Sequence, residues 1–443
     1  LVNSFLSCII ATTLMASDAV SEIQSWNANL SSSDKNAKYC KMQSSEFVFY
    51  RGTNHLYWQD FANDSRLSTF GNSHTKTWLQ GDLHAYNFGA FDNDDKTIVY
   101  GLNDFDETII ADYQYDVWRM AISIVLIMRE NNKNGVVSLS TSEQKDVIDE
   151  FSETYLDAMR DYRGNSDEVS QIFTKHNTYG RLDNFLDDVE SNNSRLEMLD
   201  DWSKLVNNRR QFNLDSEDLQ SVSSSTKSAL SVGLANYGST LSGGLNYESH
   251  YFEIKDVAKR LNAGTGSLGT QRYYILIESE TTSNSDDRIL DIKLQGKPTP
   301  YYYISDTLGF ANDAERHAIG YKALSNNTDD HLGWLTFDNK NYSVRERSPF
   351  KKSFKTDVEL SSETRFVKLA QQWGNILASS HARADKDYNS SYVADSLDKE
   401  IDNKTDGKHS AFRALVRDIA FSYANQVESD YQSFKDEVNP SCL

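Results

Sequence analysis

The chain has 443 residues, with 45 Lys and Arg against 65 Asp and Glu, which gives a net charge of −20. This charge argues against a nucleic-acid partner held by bulk attraction to phosphates, and against a polybasic membrane anchor. The length is typical of two or three domains or of one two-lobed enzyme. Hydrophobic residues make up 38% of the chain, which is enough for a packed core and excludes wholesale disorder.

The first segment, residues 1–39, contains an apolar run at 5–15 that is followed by Ala16 and Ser17. This pattern resembles the hydrophobic stretch and cleavage region of a secretory signal, although no Lys or Arg precedes Lys35. An ordinary amphipathic first helix explains the run equally well, so the sequence leaves a cytoplasmic and an exported location open. A helix needs about 20 apolar residues to cross a bilayer, and the run is shorter, so we expect no stable membrane span.

The three cysteines are Cys8, Cys40 and Cys442, too few for a zinc cluster or a disulfide framework. A bridge between Cys40 and Cys442 would join the two ends of the chain. The simpler interpretation is that these cysteines are unrelated thiols, and the sequence favours it.

Residues 40–250 are predicted to form a large lobe with a helical insertion. Apolar runs bounded by polar turns predict short strands at 77–91 and 96–110. Apolar residues on all sides of 118–130 predict a buried helix. The Asn-, Asp- and Ser-rich part that follows predicts helices joined by loose loops, with a flexible connection at 221–246.

Residues 251–350 are predicted to form a small β-rich lobe. A glycine-rich turn lies between β-type runs, and a helix and two short strands within 334–347 follow. Residues 351–443 are predicted to return to the large lobe as amphipathic helices at 366–385 and 411–434. The order of these elements predicts an α+β fold.

The segment GDLHAYN and the later NDFDE carry the residue types that phosphoryl transfer requires. That chemistry needs a carboxylate to orient the attacking hydroxyl, and an amide oxygen and a second carboxylate to hold Mg²⁺. We expect Asp82 to be this base and Asn87 and Asp104 to be the metal ligands. Asp116 follows at a spacing that would brace the loop. Single Asp and Asn residues are common in turns, but this combination is much harder to reach by chance.

Three further residues of the same region are candidates. His84 is grouped with Asp82 as a catalytic candidate, whereas Arg51 and Asp106 are secondary candidates without an assigned role.

A glycine-rich segment, GTGSLG, contains Gly264, Gly266, Ser267 and Gly269. A dinucleotide-binding fold would place a helix directly after it, but the β-type TQRYYILIE follows. A hairpin that covers ATP phosphates with backbone N–H groups fits this context better.

Lys293 lies on an otherwise apolar strand, where a lysine is costly unless it pairs with an anion. In a kinase-like site it would contact phosphates and pair with Glu315 of the next helix. The alternative is an edge-strand lysine that points to solvent. His381 and Arg383 end a long predicted helix, where they either offset the helix dipole or belong to the site.

The blocks GDLHAYNFG, GLNDFDE and YDVWRM resemble the catalytic and metal-binding region of aminoglycoside-phosphotransferase-type kinases. That resemblance implies the same roles for Asp82, Asn87 and Asp104, and makes Asp116 a structural brace. More specifically, blocks between residues 47 and 385 resemble the bacterial domain of unknown function 2252 family. These blocks are FVFYRGTNHLYWQDF, GDLHAYNFG, NDFDET, GTGSLGTQRYYILIE, ILDIK, DHLGW, YSVRER and WGNILASSHARAD.

The family is grouped with kinase-like folds, so the resemblance implies a two-lobed protein-kinase-like fold more firmly than a reaction. In an ordinary kinase the glycine loop and the lysine strand precede the catalytic loop. Here GDLH and NDFD come before the glycine segment and Lys293. We therefore expect a circular permutation, which folds tolerate when the original termini lie close together.

These features favour an enzyme that uses ATP and Mg²⁺ to transfer a phosphoryl or nucleotidyl group to a small-molecule or protein acceptor. A non-catalytic kinase-like protein that binds a nucleotide or another ligand is the alternative. A true secretory signal, or a missing Lys293–Glu315 pair, would favour it. A hydrolase that uses Asp104, Asp106 and Glu107 is a further alternative, weakened because these carboxylates crowd one short segment.

Overall fold

The structure is a computed structural model that describes residues 18–241, 250–261, 264, 268–305 and 309–442. The helices are α1 (Ala19–Trp26), α2 (Ser32–Met42), α3 (Glu46–Gly52), α4 (Asn54–Phe61), α5 (Gln114–Lys133), α6 (Thr141–Tyr162), α7 (Asp167–Ser170), α8 (Leu182–Ser191), α9 (Arg195–Trp202), α10 (Ser224–Tyr237), α11 (Asp313–Leu324), α12 (Thr356–Glu359), α13 (Glu363–Arg383), α14 (Lys386–Asn389), α15 (Leu397–Thr405) and α16 (His409–Glu437). The strands are β1 (Lys76–Leu79), β2 (Phe88–Asp92), β3 (Ile98–Leu102), β4 (Ile109–Asp112), β5 (Ser203–Val206), β6 (Arg209–Phe212), β7 (Leu219–Ser221), β8 (Ile254–Arg260), β9 (Arg272–Ile277), β10 (Arg288–Leu294), β11 (Gly333–Phe337) and β12 (Lys340–Glu346). The protein is thus mixed α+β. Within the described ranges, none of the helices combines the length and apolar character that a membrane span requires.

The largest hydrophobic core surrounds helices α5, α6, α13 and α16. The buried helix predicted at 118–130 lies within α5, whose apolar residues occupy all its sides. Helices α6 and α13 approach closely at Gly374, where a Cβ atom would lie 2.4 Å from the carbonyl oxygen of Phe151. A side chain at this position would therefore force the two helices apart.

Two pairs of short antiparallel strands lie beside this core, β1 with β4 and β2 with β3. Leu79 lies opposite Ile109 in the first pair, and Phe88 lies opposite Leu102 in the second. Loop 80–87 joins β1 to β2, and loop 103–108 joins β3 to β4. The register therefore makes these two loops run side by side between the strand pairs. Each run predicted as a single strand is in fact two short strands interrupted by one of these loops.

A six-stranded antiparallel sheet has the strand order β11-β12-β10-β9-β8-β7. On its central strand β10, Ile292 lies opposite Tyr273 of β9 and Val344 of β12. Apolar clusters cover both faces, one shared with α10 and the other with α9 and β6. Strand β7 lies in the part that was expected to contain helices and loops. Its pairing with β8 adds it to the edge of the sheet.

The flexible connection predicted at 221–246 is wrong for most of its length, because α10 lies within it. The Ser223 side chain caps this helix by accepting a hydrogen bond from the backbone N–H of Thr226. Leu230 and Tyr237 are buried against the sheet. Packing thus orders a segment whose composition is typical of a loop. Residues 242–246 lie outside the described residues.

A disulfide between Cys40 and Cys442, whose Cα atoms are 5.6 Å apart, joins an N-terminal helix to the C-terminal segment. The expectation of unrelated thiols is therefore wrong for this pair. The cause is the long helix α16, which returns the C-terminal segment to α2, where the Tyr39 and Phe434 rings lie 5.4 Å apart. Cys8 and the apolar run at 5–15 lie outside the described residues.

Candidate functional site

Asp116, a buried residue in the first turn of α5, holds the beginning of loop 80–87. Its carboxylate accepts hydrogen bonds from the backbone N–H groups of Gln80 (2.7 Å) and Gly81 (3.1 Å). His381, fully buried at the end of α13, places its Nε2 3.3 Å from the same carboxylate and its Nδ1 2.9 Å from the hydroxyl of Tyr155. Asp116 therefore contacts the loop as a structural brace would, and His381 contacts Asp116 in turn.

Asp82 follows directly, and its side chain contacts α5. Its carboxylate is ion-paired with the guanidinium of Arg119, whose Nε lies 3.0 Å from Oδ1. Burial raises the pKa of Asp82 to about 6, and the charge of Arg119 opposes that rise. A carboxylate of this kind is largely ionised at neutral pH and still lies in the range that suits a general base.

Asn87 lies on the same loop as Asp82, and Asp104 lies on the neighbouring loop, while their role as metal ligands stays a prediction. The Asn87 amide donates a hydrogen bond to the backbone oxygen of Asp82 (3.0 Å), and its own backbone oxygen accepts one from Asn103 (3.1 Å). Gln80 links the loops, because its side chain accepts a hydrogen bond from the Asp82 N–H (2.8 Å) and donates one to the Asp104 carbonyl. The charge of Asp104 also contributes to the raised pKa of Asp82.

Several buried polar atoms around Asp82 have no hydrogen-bond partner among the described residues. They are Arg51 Nε, Asn54 Oδ1, His84 Nδ1 and Arg119 NH1. Buried polar atoms are nearly always satisfied, so such a cluster is typical of a site that holds a polar ligand or ordered water. The guanidinium of Arg51 also lies 5.1 Å from the centre of the Tyr86 ring.

His84 is a poor candidate for an acid or base. It is buried, and burial together with the charges of Arg51 and Arg119 holds its pKa well below the usual range. The ring is therefore neutral at physiological pH, and it packs edge-on against Phe47.

Lys293 does not point to solvent. Its Nζ is ion-paired with Asp106 of loop 103–108, whose other oxygen accepts a hydrogen bond from Gln295 (2.9 Å). His317 of α11 lies 3.6 Å from the same carboxylate. Burial would raise the pKa of Asp106, but the charge and hydrogen bond of Lys293 outweigh it and hold that pKa well below its usual range.

The expected pair between Lys293 and Glu315 is not formed, and this prediction is wrong. The Glu315 carboxylate accepts a hydrogen bond from the backbone N–H of Ala311 (2.7 Å) at the beginning of α11. A glutamate in the first turn of a helix is stabilised there by unpaired N–H groups. Asp106 therefore takes the position beside Lys293 that the sequence assigned to Glu315.

The glycine-rich segment is described only in part, because Gly266 and Ser267 lie outside the described residues. Gly264 is described, and no atom of the other described residues lies within 4 Å of its Cβ position. Gly269 has a φ of +82°, which favours glycine, and a Cβ there would lie 3.0 Å from Leu30 and 3.4 Å from Asp34. This end of the segment therefore faces the beginning of α2.

Arg383 holds two segments of the chain together. Its guanidinium donates hydrogen bonds to the backbone oxygens of Glu168 (2.7 Å) and Gln171 (2.5 Å). These bonds attach the segment around α7 to the end of α13.

Sequence reasoning missed Lys38, Gln80, Arg119 and His317, all of which contribute to this site. Arg119 stands one helical turn after Asp116 in YDVWRM, and that spacing would have pointed to it. Lys38 comes from the N-terminal segment, and nothing in its local pattern sets it apart.

Fold and loops together define a mixed α+β protein with a carboxylate site between two loops and an adjacent lysine strand. The chain belongs to the family described as uncharacterized protein conserved in bacteria (DUF2252), which matches residues 33–437. No curated protein and no solved structure matches the chain.

Proposed function

We propose that this protein is a kinase-like phosphotransferase that uses Mg²⁺ and ATP. The observation that carries the proposal is the position of Lys293, whose ion pair with Asp106 joins the lysine strand to the loop that holds Asp104. Asp82 and Asn87 lie on the neighbouring loop. A base, an amide, a second carboxylate and a lysine therefore lie on two neighbouring loops and on the strand that is ion-paired with one of them, and these are the groups that phosphoryl transfer uses.

The same contacts support a two-lobed kinase-like fold with a circular permutation. The proposed small lobe is the six-stranded sheet with α11, and the proposed large lobe is the helical core with both loops. The permutation would fail if the glycine segment and Lys293 lay far from Asp82 and Asp104. The ion pair of Lys293 and the hydrogen bond from Thr299 N to the Glu107 carboxylate (2.5 Å) oppose that outcome.

In this proposal Asp82 accepts the proton of the acceptor hydroxyl, and Arg119 orients its carboxylate. Asn87 and Asp104 would hold Mg²⁺, since amide and carboxylate oxygens suit that ion. Bound Mg²⁺ would neutralise charge on the ATP phosphates. Arg51 and Arg119 offer unpartnered donors for an anion beside Asp82. Lys293 and the segment around Gly264 and Gly269 would bind the phosphates from the other side.

The test compares unfolding free energies with and without ATP and Mg²⁺. A ligand at a hundredfold excess over its Kd stabilises the folded state by about 2.7 kcal/mol. We expect this gain in the native protein and in the control Asp146→Ala on the exposed surface of α6, but not in Asp104→Ala. A gain that survives in Asp104→Ala, or no gain in the native protein, would contradict the proposal. Release of ADP would identify phosphoryl transfer, whereas release of pyrophosphate would identify nucleotidyl transfer.

One observation favours a second candidate, a non-catalytic protein that binds a nucleotide or another ligand. Disulfides such as Cys40–Cys442 persist mainly in oxidising compartments, where ATP is scarce. An exported location would therefore favour the binding protein, and a cytoplasmic location would favour the enzyme. Binding of ATP without release of ADP across a panel of hydroxyl acceptors would favour the binding protein. The hydrolase has no comparable support, because Asp106 is held by Lys293.

A further inference from the structure

Helix α2 brings a buried lysine to the candidate site. Only 7% of Lys38 is exposed, and its Nζ donates a hydrogen bond to the side chain of Asn27 (2.8 Å). Burial lowers the pKa of Lys38 to about 8, while the charges of Asp82 and Glu107 oppose that change. Lys38 therefore lies near the carboxylates of both loops and remains mostly protonated at neutral pH.

A buried ammonium group is costly unless an anion or several hydrogen bonds compensate for it. Asn27 is neutral, so its amide oxygen compensates for only part of that cost. Asp82 is already ion-paired with Arg119. Asp82, Asp104 and Glu107 lie beside the three cations Lys38, Arg51 and Arg119. Lys38 nevertheless forms no ion pair with a described carboxylate, and Arg51 Nε and Arg119 NH1 have no hydrogen-bond partner among the described residues. These groups therefore keep hydrogen-bond donors for a bound anion.

The segment around α2 also contacts α4, the chain before α11 and the glycine-rich segment. Trp26 stacks on His55 with ring centres 4.9 Å apart, and its edge meets Tyr302 at 5.2 Å. Leu30 and Asp34 lie against Gly269 of the glycine-rich segment. Residues 18–43, which we call the N-terminal strap, therefore extend from the Asp82 region to the glycine-rich segment.

The strap is fastened to the C-terminal segment beside Lys38. Cys40, two residues after Lys38, forms the disulfide with Cys442. Asn36 exchanges two hydrogen bonds with the backbone of Ser441, at 2.6 and 2.7 Å, and Gln43 donates one to the Val438 carbonyl (2.6 Å). These contacts restrict the helix that carries Lys38 on both sides of that residue.

We propose that Lys38 is an anion-binding residue of the site, a third cation beside Arg51 and Arg119, and that the Cys40–Cys442 disulfide keeps it in place. The proposal rests on the proposed function for the identity of the anion, a phosphate group of the substrate. It assigns the N-terminal strap to the site itself, where sequence patterns gave no reason to look.

The experiment measures affinity by isothermal titration with two probes, ATP with Mg²⁺ and inorganic tripolyphosphate. The variants are Lys38→Met, Lys38→Arg and the double change Cys40→Ser/Cys442→Ser, with Lys41→Met on the exposed side of the same helix as the matched control. Urea unfolding of every variant verifies that it is folded. We expect affinity to fall at least tenfold in Lys38→Met, as for a lost charge-assisted hydrogen bond, and to be largely restored in Lys38→Arg.

The outcomes separate this inference from the proposed function. If the native protein binds ATP and folded Lys38→Met binds it equally well, the role of Lys38 is overturned and the proposed function stands. If only tripolyphosphate binds, and binding depends on Lys38, the anion site stands and the nucleotide is wrong. If the native protein binds neither probe, both proposals are overturned. Equal affinity in the double cysteine variant would overturn the role of the disulfide.

Discussion

The side chain of Lys293 forms an ion pair with Asp106, a residue 187 positions earlier in the chain. The pair joins the central strand of the six-stranded sheet to the loop between β3 and β4. It therefore sets the position of the lysine strand relative to the loop that carries Asp104, and the proposed function depends on both.

Breaking this pair is expected to destabilise the fold. Lys293→Met leaves the Asp106 carboxylate with Gln295 and His317 only, and Asp106→Asn leaves the lysine without an anion. Both side chains are only partly buried, 13% and 25% exposed, so we expect each change to cost about 1–3 kcal/mol in the free energy of urea unfolding.

The double variant Lys293→Met/Asp106→Asn is the control for that interaction. Because each single change removes the same pair, the double change is expected to cost clearly less than the sum of the two. Strictly additive costs would show that the pair does not couple the sheet to the loop.

Gly81 lets loop 80–87 pass close to loop 103–108. It has a φ of +82°, and a Cβ there would lie 2.1 Å from the carbonyl oxygen of Glu107. Gly81→Ala combines left-handed strain with a backbone clash, so we expect a loss of more than about 2 kcal/mol in unfolding free energy.

Gly135→Ala is the matched control, because Gly135 has a φ of +72° with no atom within 4 Å of its Cβ position. Strain alone should cost this variant about 1 kcal/mol. Equal losses at the two positions would show that the approach of the two loops is not tight.

The sequence predicts the proximity of the loop residues better than their distant partners. Asp82, Asn87 and Asp104 stand close together in the chain, and the structure brings their two loops side by side, while their role in phosphoryl transfer stays a prediction. Gly81 and Asp116 make backbone contacts with these loops, and their closeness to the loops in the chain also points to such contacts. These are local relationships, and a single sequence contains them.

Long-range pairings were harder to predict. Glu315 fitted the expected partner of Lys293 by its position on the following helix, but a helix N-terminus offers a glutamate competing N–H donors. Asp106 lay in a loop already assigned to metal binding. Cys40 and Cys442 pair because α16 returns the chain to α2, and only tertiary packing determines that return.

The raised pKa of Asp82 predicts a specific pH dependence. An ordinary aspartate has a pKa near 3.9, whereas burial raises that of Asp82 to about 6. The folded state therefore binds the proton more tightly than the unfolded state, and the stability that protonation confers is lost as the pH rises from about 4 to about 6. Relative to Asp82→Asn, the native protein should lose roughly 2–3 kcal/mol of unfolding free energy between pH 4 and pH 7.

Urea unfolding at a series of pH values measures this difference, with Asp146→Asn controlling for the loss of one negative charge. If the protein is an enzyme, its kcat/KM should also fall below about pH 6, because the protonated Asp82 accepts no proton. A stability difference that is constant from pH 4 to pH 7 would contradict the raised pKa.

The disulfide should stabilise the fold, because it closes a very long loop, with a sequence separation of 402 between Cys40 and Cys442. Cross-links of this kind restrict the unfolded ensemble, and their removal typically costs about 2–5 kcal/mol. We expect Cys40→Ser/Cys442→Ser to show a loss in that range in urea unfolding. The native protein treated with dithiothreitol should show the same loss, and the double variant should be insensitive to that reagent. Since the same bond holds the helix that carries Lys38, hydrogen exchange in residues 32–43 should rise with its removal, and unchanged exchange there would show that the strap is held by its other contacts alone.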